Sequence, residues 1–240
     1  MKRTKFLKRL VYSSGCLLML LLAACRSGET PVVVDAQSTT DRATNWTAEM
    51  QYPVFSSANE RVNRSLTRLN REISAYLAAQ QEAMKEDADA LFTDFTDQQR
   101  PAWNYELVVN NRVYRADDHY VSLQLELYRY MGGAHGTTDF VALNYDVASE
   151  ELLSANDILD LRQSSKINQL LQANFGNPEQ CFDTDPTMEL VSAVCFSPDT
   201  VYFTFGHYAL GAYACGPAEI LVPQEELGEA FLPQIGSPLN

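Results

Sequence analysis

The chain has 240 residues, 46% of them hydrophobic, with 31 acidic against 18 basic side chains and a formal charge of −13. That length suits one large α+β domain or two small ones. The acidity argues against nucleic acid as a partner, because phosphate binding needs a basic footprint, whereas it keeps a domain soluble and would steer a basic protein partner inward.

Lys2, Arg3, Lys5, Lys8 and Arg9 precede the apolar run CLLMLLLAAC at residues 16–25. A basic stretch followed by a short apolar run that ends in small residues reads as a secretory signal. The run is too short for a stable bilayer-crossing helix. Its end, Leu22, Ala23, Ala24 and Cys25, resembles the bacterial lipobox, which implies cleavage before Cys25 and acylation of that cysteine. Residues 1–24 are then a signal peptide, and their loss removes five basic and no acidic residues, taking the charge to −18. Lipid chains contribute roughly 0.8 kcal/mol per buried methylene, so several of them, palmitate included, hold a protein firmly on a membrane. Arg26 is not the aspartate that resembles an inner-membrane retention signal, so the expected location is the cell envelope at the outer membrane, facing the periplasm or the surface. Residues 25–46 are small, polar and β-branched without a helical period and read as a lipidated tether, whose end could begin a first strand.

Over residues 56–84, Val62, Leu66, Leu69, Ile73, Tyr76 and Leu77 recur at spacings of three and four. They predict a helix with one apolar face, capped by Ser57 or Asn59. Arg64, Arg68, Arg71 and Glu72 lie opposite, as a partner-binding face or as plain solvated surface. Residues 85–101 are acidic and extend the helix before becoming a loop. The spacing of Asp87, Asp89, Asp94 and Asp97 lacks the glycine and closing glutamate of a calcium loop. In HYVSLQLELYRY, Val121, Leu123, Leu125 and Leu127 alternate with polar residues, which predicts a strand with one face on a core. TDFVALNYDV is the expected partner strand. A short helix capped by Ser154 or Asn156 follows, then a helix from Ser164 carrying Ile167, Leu170, Leu171 and Phe175 and stopped by Gly176 and Pro178. The last third returns to strands, and QEELGEAF closes the chain with a helical turn. This order predicts an α+β fold with helices packed on antiparallel β-sheet in two sequential subdomains.

Beyond Cys25, the thiols are Cys181, Cys195 and Cys215. An oxidising envelope permits a disulfide. Cys181–Cys195, which closes a short loop, is the expected pair, with Cys195–Cys215 as the alternative and the odd thiol as a small buried apolar group. No CxxC or zinc spacing is present, and neither metal nor cofactor is expected.

The segment YRYMGGAHGTTDFVALNYDVASEELLSANDIL resembles the extracytoplasmic domain family of the lysozyme-binding anti-sigma factor RsiV. The tail DTVYFTFGHYALGAYACGPAEILVPQEEL is similar to the end of that family. The upstream part, from YPVFSSANERVNRSLTRLNREI to Arg129, resembles the companion domain that also precedes the catalytic domain of the peptidoglycan deacetylase PdaC. The resemblance covers about residues 47–232. It implies an N-terminal subdomain at 47–130, a C-terminal one at 131–232 and a tail at 233–240. The chain lacks a transmembrane helix with a sigma-binding segment and lacks an appended deacetylase domain, so neither activity is expected to transfer. What the resemblance implies is a fold and an ability to bind cell-wall-related ligands.

The Gly132, Gly133, His135 and Gly136 turn sits between two strands. Glycine opens backbone angles closed to other residues, and His135 can brace the turn. Alternatively His135 contacts a ligand or transfers protons, with Asp139 or Asp146 as its partner. Tyr128, Tyr130, Tyr202, Tyr208 and Tyr213 surround the two signature segments, and tyrosine suits contact surfaces as well as cores. No Gly-x-Ser-x-Gly or His-Glu-x-x-His occurs, and His119, His135 and His207 lie on separate segments without zinc spacing. No catalytic constellation is therefore assigned. The expected function is a non-enzymatic, lipid-anchored envelope domain binding a lysozyme-like protein or a peptidoglycan-derived ligand. The alternatives are a small wall-polymer hydrolase using His135, or a purely structural envelope lipoprotein.

Overall fold

The computed structural model describes residues 31–96 and 99–232; the expected signal peptide at 1–24, Cys25 and the 233–240 tail lie outside the described residues. The chain opens with β1 (Val32–Arg42), which pairs antiparallel with residues 47–57 of β2 (Trp46–Ser57). Most of the expected tether beyond residue 31 is therefore an edge strand. Ladder hydrogen bonds to β2 hold it, while its side chains stay exposed and carry no apolar period to betray it.

Helix α1 (Glu60–Thr93) follows, started by Asn59, whose Oδ1 accepts from the N–H groups of Arg61 and Val62. Val62, Leu66, Leu69, Ile73 and Leu77 face the sheet as their spacing predicts. Met84, Ala88 and Phe92 carry the same stripe on through the acidic segment, so the helix runs nine residues past Met84. Each fully buried leucine or isoleucine contributes roughly 1.5–3 kcal/mol. This crossover makes β3 (Tyr105–Ala116) pair parallel with β2. Antiparallel β4 (Tyr120–Tyr130), β5 (Thr137–Asp146) and short β6 (Glu151–Leu153) complete a six-stranded sheet in the order 1-2-3-4-5-6. The sheet is thus mixed: a strand-helix-strand crossover supplies its one parallel pair.

Beyond β6, α2 (Ala155–Ile158) starts where the Asp157 carboxylate accepts from the Ser154 N–H and Oγ. Helix α3 (Ser164–Asn174) buries Ile167 and Leu171. Strands β7 (Ala193–Phe196), β8 (Thr200–Phe205) and β9 (Ala218–Pro223) form a second, antiparallel sheet, and α4 (Gln224–Leu227) follows. The α+β architecture expected from the sequence is the one observed.

Strand β4 is covered on both faces. Val121, Leu123, Leu125 and Leu127 pack toward α1, while Ser122 and Gln124, the polar half of the alternation, are buried under the second sheet. Ser122 Oγ accepts from the Phe196 N–H at 2.9 Å, and Asn144 Nδ2 donates to the Val194 carbonyl at 2.8 Å. Side chains of the large sheet thus satisfy backbone groups on the open edge of β7. Gln124 Nε2 donates to Thr204 Oγ1 at 2.6 Å. The 130/131 boundary expected from the sequence falls at the turn of the β4–β5 hairpin, inside one continuous ladder. The first hydrophobic core draws on residues up to Val147, and the second on residues from Leu153 onward together with Tyr120 of β4.

Candidate functional site

The sequence places His135 on one loop and Tyr208 and Tyr213 on another, about 75 residues on. The structure brings them together. His135 lies on the β4–β5 hairpin. Tyr208, Tyr213 and His207 lie on the β8–β9 connection, residues 206–217. The His135 and Tyr213 rings stack at 4.0 Å between centroids and 18° between planes. His207 stacks on Tyr213 at 4.5 Å. Two rings this close and nearly parallel to a third cannot share one face of it, so Tyr213 is sandwiched between the two imidazoles. Tyr208 leans on Tyr213 at 5.5 Å.

Hydrogen bonds fix the set. His135 Nδ1 lies 2.9 Å from the Gly136 carbonyl, which can only accept, so Nδ1 carries the proton. In the neutral ring, Nε2 is then the acceptor, and Tyr208 Oη reaches it at a long 3.4 Å. Tyr213 Oη approaches the same Gly136 carbonyl at 3.4 Å. Tyr208 is 62% exposed and holds a left-handed φ of 68°, rare for a tyrosine and a sign that its surroundings fix it. His207 Nδ1 is the one buried side-chain polar atom among the described residues that lacks a hydrogen-bond partner.

The glycines serve different ends. Gly132 and Gly133 take φ values of 93° and 98°, the region that favours glycine. Gly136 needs no such angle. A Cβ there would stand 2.5 Å from both the Arg129 carbonyl and the Tyr128 ring, so glycine lets the hairpin close against Tyr128.

The disulfide joins Cys181 to Cys215 across 34 residues, correcting the expected Cys181–Cys195 pair. Cys195 sits inside β7, 1% exposed between the two sheets, with its Sγ toward the Leu123 carbonyl at 3.5 Å. Burial pushes its thiol up to about 12. The disulfide ties the turn bearing Tyr213 to residues 181–184, where Phe182 also bridges Gly211. The aromatic set therefore stands on a stapled loop.

Other expected participants lie elsewhere. Tyr130 packs edge-on to Trp103 and donates to the Gly133 carbonyl. Tyr202 joins Tyr114, Arg112 and Glu219 at the seam between the sheets, where burial and the Glu219 carboxylate raise the Tyr114 phenol. Asp139 pairs with Arg129, and Asp146 caps the turn at Ala148 and Ser149. Among the described residues no carboxylate forms an ion pair with His135, and no three His, Cys, Asp or Glu side chains are grouped to hold a metal. His119 lies at the far end of β4, 3.6 Å from Asp118. The sequence left His207 without a role, although its adjacency to Tyr208 in the second signature segment marked it. A groove of about 450 Å³ opens nearby between Phe140, Ala142, Met188 and Val191, with Ser192 hydrogen-bonded to the Gly206 N–H that precedes His207.

Residues 40–138 match the model of the family described as deacetylase PdaC. No curated protein matches the chain. Among solved structures, a DUF3298-family protein of Bacteroides fragilis NCTC 9343 is similar at 19% identity. It superposes with a TM-score of 0.62 over 87% of this chain and 98% of its own. A DUF3298-family protein of Pseudomonas aeruginosa PAO1 is similar at 17% identity, with a TM-score of 0.52 over 88% and 98%. Residues 40–138 are thus similar to the PdaC family, within a fold shared with DUF3298 structures. That segment holds the His135 turn and ends two residues into β5, while the loop bearing Tyr208 and Tyr213 lies beyond it.

Proposed function

We propose that the protein is a lipid-anchored domain of the cell envelope that binds, without turning over, a peptidoglycan-derived ligand or a lysozyme-like protein, and that the His135–Tyr208–Tyr213 patch is its contact surface. The observation that carries this reading is the convergence of two distant loops on one exposed, stacked aromatic set. Tyrosine offers apolar area with a polar tip at low entropic cost, and a stapled loop loses little further freedom on binding. Sugar rings and protein surfaces both suit such a patch. The acidic charge of the chain favours the protein partner when that partner is basic.

The hydrolase alternative would use Nε2 of His135 as the base, with Nδ1–H held by the Gly136 carbonyl. Calorimetric titration of the purified protein with peptidoglycan fragments and with a c-type lysozyme, at low and moderate salt, tests the proposal. Binding that Tyr208→Ala weakens at least tenfold supports it. Absence of heat with every ligand leaves a structural lipoprotein, and hydrolysis of fragments that His135→Ala abolishes in a folded protein would make it an enzyme.

A further inference from the structure

The arginines of α1 belong to no part of that patch. Arg61, Arg64, Arg68 and Arg71 follow spacings of three, four and three, which places them within about an 80° arc of one helix face. All four are exposed, roughly opposite the buried stripe of Val62, Leu66, Leu69 and Ile73. Arg68 meets Glu150 loosely at 3.6 Å, and among the described residues Arg61, Arg64 and Arg71 form no ion pair. Glu60 and Glu72 are the acidic residues on this stretch, whereas Glu82, Glu86, Asp87, Asp89 and Asp94 crowd the other end of the helix and its cap. A helix dipole favours acidic residues at the first turn and basic ones at the last, so helix stability does not account for this segregation.

The place where the chain enters gives the stripe a partner. Val32 pairs with Ser57, three residues before α1 begins, so the described chain enters at the end of the domain where α1 starts. From Cys25 to Val32 the backbone spans at most about 25 Å. The aromatic patch lies at the opposite end. Ser65 holds the Val147 carbonyl at the arginine end, whereas Arg129, next to the hairpin tip, reaches Gln80. Strand β5 separates the two ends by about 30 Å.

We infer that the Arg61–Arg64–Arg68–Arg71 stripe docks on the phosphate headgroups of the anionic bilayer that holds the lipid, which lays α1 along the surface and leaves the aromatic patch at the far end of the domain, clear of the docked face. The inference rests on the lipid-anchor reading of Cys25. Each arginine near an anionic surface shifts partitioning by about fivefold, and the stripe offsets locally the repulsion expected from the acidic remainder.

The test is arginine modification of the full-length, membrane-extracted protein reconstituted in vesicles. Phenylglyoxal labelling is read residue by residue by mass spectrometry, in phosphatidylcholine alone and with phosphatidylglycerol added. Arg61, Arg64 and Arg71 are expected to label at least fivefold more slowly in the anionic vesicles, with the difference erased in 0.5 M salt, where screening is short-ranged. Arg162, whose side chain is 89% exposed in the C-terminal half, is expected to be unchanged. Equal labelling in both vesicles, on a chain whose Cys25 carries the acyl mass, overturns the docking and leaves the anchor. Absence of that mass overturns the anchor and the docking together. Equal protection by inorganic phosphate over phosphatidylcholine overturns the membrane as the partner and makes the stripe a soluble-anion site.

Discussion

Gly136 and Gly133 separate two reasons for glycine that look alike in the sequence. Gly136→Ala drives a Cβ into backbone and ring at 2.5 Å, an overpacking expected to cost about 1–3 kcal/mol. It also lifts the hairpin off Tyr128 and takes His135 with it. Gly133→Ala meets nothing within 4 Å and suffers only its φ of 98°, expected to cost about 1 kcal/mol. Urea denaturation of both variants checks the order, and ligand titration should show Gly136→Ala losing affinity where Gly133→Ala retains most of it. The sequence marked these glycines as a turn. It could not tell an angle from a close approach, because Tyr128 meets Gly136 only once the strands have paired.

At the scale of elements, the open edge of β7 depends on two side chains from the other sheet. Ser122→Ala strands the Phe196 N–H between sheets, at an expected cost of about 1–3 kcal/mol. The same change at exposed Ser165 is expected to stay within about 0.5 kcal/mol, as is usual for surface substitutions, and equilibrium unfolding distinguishes them. The disulfide closes a loop of 34 residues, for which chain entropy gives about 3–4 kcal/mol. Cys181→Ala with Cys215→Ala should therefore lower the urea midpoint and loosen the Tyr213 loop. Alkylation of the native mature protein should spare Cys195, and alkylation after unfolding without reductant should mark Cys195 and not Cys215. The start of α1 was legible, because Asn59 caps it. Its end was not, since Ala88 is too small to announce a continued stripe. The pairing of Cys181 was misread for a related reason: loop length favoured Cys195, and the burial that removes Cys195 is a property of two sheets meeting.

For the whole molecule, the sequence displayed the α1 face of the sheet and hid the other. Ser122 and Gln124 read as solvent-facing because alternation reports one buried face, and nothing local reveals a second layer. The parallel β2–β3 pair was equally hidden, as β1 and β2 precede the first element with a strong period.

Acid acts on the second layer. Hydrogen bonds from Arg162 hold Asp160 down at about 2, the Ser154 hydroxyl lowers Asp157, and the Ser197 and Thr200 hydroxyls lower Asp199. Each folded-state value lies below its unfolded one, so the unfolded chain binds more protons in between. The stabilisation is complete above about pH 4 and is lost as pH falls toward about 2. Asp157 and Asp199 are solvent-exposed, so their share is small and salt-sensitive, whereas the Asp160 side chain is largely covered. Melting temperatures from pH 5 to pH 2.5 should fall, and Asp160→Asn should flatten that slope.

The central claim is that two loops build one ligand-contacting aromatic patch. Calorimetric titration of the wild-type protein and Tyr208→Ala with the same peptidoglycan fragments and c-type lysozyme tests it most directly. Tyr208 is exposed, so its removal should leave the melting temperature within a degree or two while weakening binding at least tenfold. Binding of equal strength in the two proteins would place the ligand elsewhere and contradict the account.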